Sequence, residues 1–476
     1  MSSGWLGGLS WAIATILYLF LNSSWFAISP MSWQTIVSEV AVAGLVGGVL
    51  LMFAVYLSRY EPEIASSARH LYLLAVVLLG FLAILLLTRT IGIPTAISPI
   101  PAVGMLLALF LNWRVAIGGT LAVALPLDLV PWLEPSSLLL GLAGTCVAVY
   151  SVRRVRERMD VGRAGIWTGL AMAIGSAITG PLFIYEPRAW MLSALWSAVS
   201  GPASAILVSG LLPYLERLTG ITTAFTLLEL ANPGQPLLRQ LLLKAPGTYH
   251  HSILVGNLGE AAADEIGADP LLVRVGAYYH DIGKTKRPYF FIENQIGIDS
   301  QHDNISPRLS SLVITAHVRE GIELARQYRL PKPVADFIPM HHGCSLVTYF
   351  YQQAVQAEGS QEVSEEHFRY AGPRPNTKET GIVMLADGVE ATIRTLTKPV
   401  PEQIEANIRR IVNKRIDEGE LSNAPLTLQD IERIIQSFNR ILHGLYHQRI
   451  EYPDQLLERE EKARKEERRR LGGISR

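Results

Sequence analysis

Between Glu39 and Leu212 the chain passes through one apolar stretch after another, at approximately residues 36–57, 71–89, 97–112, 115–133, 137–152, 165–184 and 191–213. A bilayer core about 30 Å thick takes roughly 20 helical residues to cross. Inside hydrocarbon, only helices and closed barrels satisfy their own backbone. The series therefore predicts a bundle of seven membrane helices. Pro101, Pro126, Pro181 and Pro202 fall within the runs, which membrane helices accept better than soluble ones. These runs are why hydrophobic residues reach 49% of the chain and charged residues only 18%.

Arginine placement predicts the orientation. The loop from Arg153 to Arg163 is densely basic, and the loops near 58–70 and 112–114 carry Arg59, Arg69 and Arg114. Under the positive-inside rule these loops face the cytoplasm. An odd number of crossings then leaves everything after Leu212 in the cytoplasm, which makes this a multi-pass plasma-membrane protein. A further apolar run at 5–26 has no basic residues before it, so it is not a signal peptide; an eighth span and an interfacial helix both fit it. Only Asp128 lies clearly inside a run, too little polar machinery for a transporter.

Beyond the apolar half the composition changes. Residues 214–245 form an amphipathic linker with a turn signal at Asn232-Pro233-Gly234. From 246 to 450 apolar residues recur at helical period, as in SILVGNLGEAAADEIG and RLSSLVITAHVREGIELARQY. Strand-like alternation is nearly absent. The expected layout is thus an N-terminal apolar segment (1–35), the membrane bundle (36–213), the linker (214–245), an all-α domain (246–450) and a charged tail (451–476). Net charge is +0, which gives no general electrostatic reason to bind a nucleic-acid polymer. The two cysteines, Cys146 in a membrane run and Cys344 in the second half, are too differently placed to pair.

The chemistry lies in that second half. His280 and Asp281 are adjacent in AYYHDIGK, with His251 upstream in GTYHHS. His317 follows in TAHVREG, His341 and His342 in MHHG, and Asp387 in LADGVEA. Five imidazoles and two carboxylates suit a pair of borderline or harder divalent ions, such as Mn²⁺, Fe²⁺ or Zn²⁺. Two such ions can drive phosphodiester hydrolysis. Placed on a helix, Lys284 shares one edge with His280 and Asp281, so Asp281 and Lys284 are the candidate catalytic residues. His70, His250, His302, His367, His443 and His447 read as structural.

These segments resemble the seven-transmembrane HD-domain phosphodiesterases of the PgpH type, which hydrolyse cyclic di-AMP. The likeness covers roughly 36–450 and is densest in LLPYLERLTGITT, in LLELANPGQPLLRQ through YYHDIGK, in HHGCSLVTYFY and in GPRPNTKETGIVMLADGVEA. The resemblance implies an HD-type metallohydrolase domain in the cytosol with two metals, manganese or iron. His251, His280, Asp281 and Asp387 would hold one, and Asp281 would bridge to a second held by His317, His341 and His342. It implies cyclic di-AMP as substrate, pApA as product and the bilayer as a partner; a second copy of the chain is a further candidate partner. Asn294, Gln295, Tyr349, Tyr351 and Arg374 are candidate substrate contacts. The family usually carries a large extracellular domain before its seven spans, and about 35 residues precede the first span here, too few for one. A nucleotide-binding regulator without turnover, and an HD nucleotidase acting on mononucleotides, share the same metal logic.

Overall fold

The computed structural model describes residues 33–94, 96–127, 135–153, 155, 157, 159–183, 186–295, 300–358, 363–396 and 400–446. The apolar run at 5–26, Asp128, His447 and the charged tail lie outside them. The chain divides into two compact units between Asn232 and Pro233. Among the described residues nearly all regular structure is helical, and the single β-bridge pairs Leu346 with Arg369.

The first unit comprises α1 (Trp33–Tyr60), α2 (Pro62–Ser66), α3 (Ala68–Ile91), α4 (Ile100–Phe110), α5 (Trp113–Leu127), α6 (Pro135–Ser151), α7 (Met159–Phe183), α8 (Pro187–Thr219) and α9 (Ala224–Leu230). Ala68–Leu85, Met159–Leu182 and Pro187–Thr219 are long and apolar enough to cross a membrane. The shorter apolar helices Gly44–Tyr60, Ile100–Phe110, Trp113–Leu125 and Leu139–Ser151 fall on the other four predicted runs. Leu73, Met105, Leu107 and Val208 pack inside, while Ile166, Leu182 and Ile206 point outward. Water disfavours so many outward apolar groups and hydrocarbon does not.

Small residues let α7 and α8 meet closely. A Cβ on Gly169 would collide with the Ala198 carbonyl, and one on Gly201 with the Gly165 carbonyl, the close backbone approach common between membrane helices. α8 runs on through Pro213 and stops at Gly220, whose φ of 67° ends the helix in the left-handed region.

The second unit comprises α10 (Pro236–Lys244), α11 (Pro246–Ile266), α12 (Pro270–Tyr279), α13 (Pro307–Gln327), α14 (Lys332–Ala335), α15 (Phe337–Met340), α16 (Thr348–Glu358), α17 (Lys378–Arg394), α18 (Pro401–Asp417) and α19 (Leu428–Tyr446). Proline at the first turn opens several of them, where its missing N–H costs nothing. Asp269 caps α12 through Leu272 N, Ser306 caps α13 through Leu309 N, and Thr377 with Thr380 closes a capping box on α17. Leu258, Val273, Leu385, Ile408 and Phe438 belong to one buried apolar core, and it fixes α11, α12 and α17 as a rigid frame. Leu237, Leu238 and Leu241 of α10 are buried in this unit, and Gln240 Nε2 donates to the Tyr328 hydroxyl at 2.6 Å.

Candidate metal centre

The His-Asp pair sits where helix gives way to a tighter turn. The expectation of one continuous helical edge through Lys284 is corrected here: α12 ends at Tyr279, His280 is its C-cap, and residues Ile282–Lys286 form a 3₁₀ turn. The i+3 spacing of that turn swings Lys284 back onto Asp281, with Nζ 2.6 Å from Oδ2. The same ammonium lies 2.9 Å from Glu293 Oε1. Burial works against charge on Lys284, but the two carboxylates override it and raise the ammonium's pKa above its usual range.

Around Asp281 the imidazoles close in from separate elements. His280 Nε2 is 3.2 Å from Oδ2, and His317 Nε2 of α13 and His341 Nε2 after α15 are 3.3 and 3.5 Å from Oδ1. Each of these rings turns its Nδ1 to a backbone carbonyl: Ala277 O at 2.6 Å, Ile314 O at 2.6 Å and Ile338 O at 2.8 Å. A carbonyl only accepts, so Nδ1 must carry the proton and Nε2 of the neutral ring is bare. Bare nitrogens thus face carboxylate oxygens, of which Oδ2 also meets the Lys284 ammonium. His280 Nε2 and both Asp281 oxygens are buried with no properly oriented hydrogen bond. Acceptor against acceptor is repulsive unless a cation lies between, and this donor set fits divalent metal. The ligand atoms of His251, His280 and Asp281 lie within 4.8 Å of one another, as do those of His317, His341 and His342.

His251 differs from the others. Its Nε2 is 3.1 Å from Asp387 Oδ1, and its Nδ1 meets Glu390 Oε2 in a very short contact. Burial lowers its pKa, but bonds to Asp387 and Glu390 prevail and raise it to about 10. Burial, helped by the Lys284 and His341 charges and opposed by Asp281, carries His317 down to about 3. Burial pushes Asp387 up, but the His251 bond together with the His342, His251 and His280 charges holds it well below the usual carboxylate range. His251 is thus protonated at neutral pH and must shed that proton to become a ligand through Nε2, with Glu390 retaining the Nδ1 proton. Divalent-metal loading at pH 7 should release about one proton per chain, with apparent affinity rising roughly tenfold per pH unit toward pH 10. Calorimetric titration in buffers of different ionisation enthalpy measures this; heats independent of buffer would contradict it.

The chain brings together His251, His280, Asp281, Lys284, His317, His341, His342 and Asp387. The five expected substrate contacts have surroundings of their own. Asn294 Oδ1 accepts from Gly247 N and Thr248 N at 3.0 and 3.2 Å, so its amide holds the start of α11. Gln295 Nε2 donates to Tyr289 O, Tyr351 packs on Phe368, and Arg374 Nε lies 3.8 Å from Glu420. Tyr349 is 65% exposed. None of the five lines the cavity of about 380 Å³ that opens on the cluster. Its walls include Phe291, Tyr370, Arg394, Lys414 and Arg415, none of them expected from the sequence. Glu390 was legible, since it follows Asp387 by three helical residues on one face. Tyr370, whose ring stacks 4.1 Å from His342, has no comparable periodic signal.

Residues 36–223 match the family described as "7TM receptor with intracellular HD hydrolase", and residues 248–392 match the HD domain. The chain is 40% identical over 375 residues to "Cyclic-di-AMP phosphodiesterase PgpH" of Bacillus subtilis, covering 75% of this chain and 51% of that protein. The Listeria monocytogenes protein of the same name is 36% identical, covering 80% of this chain and 54% of that one. The chain thus spans about half the length of the curated relatives it matches. The crystal structure of the L. monocytogenes PgpH HD domain in complex with cyclic-di-AMP is 44% identical, covers 46% of this chain and 100% of that one, and gives a TM-score of 0.44. With apolar helices under the first match and the histidine cluster under the second, the chain belongs to the family of seven-transmembrane receptors that carry an HD hydrolase domain.

Proposed function

We propose that the chain is a plasma-membrane phosphodiesterase that opens cyclic di-AMP to linear pApA at a site for two divalent cations, Mn²⁺ or Fe²⁺. The observation that carries the reading is the convergence of imidazole nitrogens from His280, His317 and His341 on the Asp281 carboxylate, where the one Lys284 ammonium sits at Oδ2. The cyclic-di-AMP phosphodiesterase activity for which the two PgpH relatives are named supports the substrate. In this reading His251, His280, Asp281 and Asp387 hold one cation, and Asp281 with His317, His341 and His342 holds the other. The seven apolar runs all cross the bilayer and place the HD domain in the cytoplasm.

Bound divalent cations supply Lewis-acid chemistry, activating water and neutralising charge on the phosphate. The chain's own groups set the stage. His317 stays neutral, and so available as a donor, because burial lowers its pKa to about 3. Lys284 keeps a fixed positive charge beside Asp281 and also faces the cavity, where a phosphate oxygen would feel it. Phe291, Ile292 and Ile314 give the cavity an apolar side that suits an adenine and keeps bulk water away. Incubating the full-length, detergent-solubilised, Mn²⁺-loaded chain separately with cyclic di-AMP, cyclic di-GMP and dATP tests the reading. Release of pApA, with the other two consumed much more slowly, is the expected result. Cyclic di-AMP bound but uncut would instead point to a regulator, and preferential loss of dATP to a nucleotidase.

A further inference from the structure

Three cations share the cavity wall with the metal cluster. Arg394 ends α17, and Lys414 and Arg415 lie in the last turn of α18. Their local partners do not neutralise them fully. Lys414 Nζ and Arg415 Nη1 divide one carboxylate, Glu418, at 3.7 and 3.3 Å. Arg394 Nη1 is 3.8 Å from Glu390, and that carboxylate is already engaged by His251. Basic groups at helix ends often serve only the helix dipole, and that bland role predicts side chains lying in solvent. Lys414 is half exposed, but Arg394 is 34% and Arg415 only 16% exposed. Arg415 lines the same cavity as Tyr370, whose ring stacks on His342.

The spacing is suitable. Asp387 and Arg394 are seven residues apart on α17, about 10 Å along the axis. Side chains on a helix lean toward its N-terminus, which tips Arg394 back toward Asp387. Between them Gly388 and Ala391 line the cavity with almost no side chain.

Resting on the function proposed above, we infer that Arg394, Lys414 and Arg415 form a second phosphate subsite. It takes the phosphate of the dinucleotide that is not at the metal cluster and retains that group in the linear product. The site then prefers ligands with two separated phosphates over those with one. Glu418 opposes it by drawing Lys414 and Arg415 aside.

Isothermal titration of the full-length Mn²⁺-loaded chain with pApA and with AMP tests this. In the unmutated chain pApA should bind at least about tenfold more tightly than AMP, as one desolvated charge-assisted contact allows. The Lys414→Gln/Arg415→Gln pair should cut that margin to about threefold or less, and Glu418→Gln should widen it. A margin unchanged in the double variant, or one that narrows in Glu418→Gln, overturns the subsite. Whether the unmutated chain cleaves cyclic di-AMP is read separately, so failure of the activity and failure of the subsite are distinguishable.

Discussion

Asp281→Ala should leave the chain folded but unable to hold metal or hydrolyse a phosphodiester. Residues that merely orient metal ligands typically contribute about 10–100-fold to affinity or activity. Asp281 faces three imidazole nitrogens directly, so its loss should exceed the upper end of that range. Helicity should survive because the residue lies between α12 and a 3₁₀ turn rather than within the apolar core. Lys284 also retains a partner in Glu293, so its ammonium is not left alone in a buried place. Asp281→Asn, which keeps the shape and removes the charge, should behave nearly as badly. Elemental analysis, a phosphodiesterase assay and circular dichroism together check the expectation. Normal turnover by either variant would remove Asp281 from the centre of the site.

Gly283→Ala should damage both stability and metal binding without touching any ligand. A Cβ there would overlap the His317 carbonyl oxygen and lie 2.7 Å from Gly321 N. Both obstacles are backbone of α13, so neither can swing aside; the helix itself must back away, taking His317 with it. Overpacking of this kind costs about 1–3 kcal/mol, and rigid neighbours place the change at the top of that range. Gly321→Ala is a gentler control, because its Cβ meets a side-chain tip, Ile338 Cγ2, at 2.8 Å. Denaturation midpoints and metal titrations of the two variants should rank Gly283→Ala clearly below Gly321→Ala. Equal behaviour would mean that the 3₁₀ turn and α13 are not held in this register.

Much of this was readable in the sequence because it is written in short local signals. An HD dipeptide, an HH pair before a glycine and an aspartate in LADGVEA survive as motifs even though distant elements bring them together. The apolar runs were equally plain, since hydropathy is a property of contiguous residues. What did not transfer was side-chain direction. Asn294 and Gln295 follow the His-Asp turn closely in sequence, yet Asn294 turns inward to tie down α11 and Gln295 returns to Tyr289. Lys414 and Arg415 carry no sequence signal beyond charge at a helix end, and only the packing of α18 beside α17 gives them another setting. The helical edge drawn through His280 and Lys284 failed for a similar reason. A continued α-helix would need 3.6 residues per turn, whereas the close approach of Gly283 to α13 goes with the tighter winding seen here.

The charges packed around the cluster nearly cancel before any ion arrives. Lys284 lies between Asp281 and Glu293, a protonated His251 lies between Asp387 and Glu390, and Arg394 leans on Glu390 from the rim. What an ion adds is therefore relief of the nitrogen–oxygen contacts at Asp281, not neutralisation of the whole pocket. Chelation should then loosen the cluster reversibly while the apolar frame of α11, α12 and α17 stays folded.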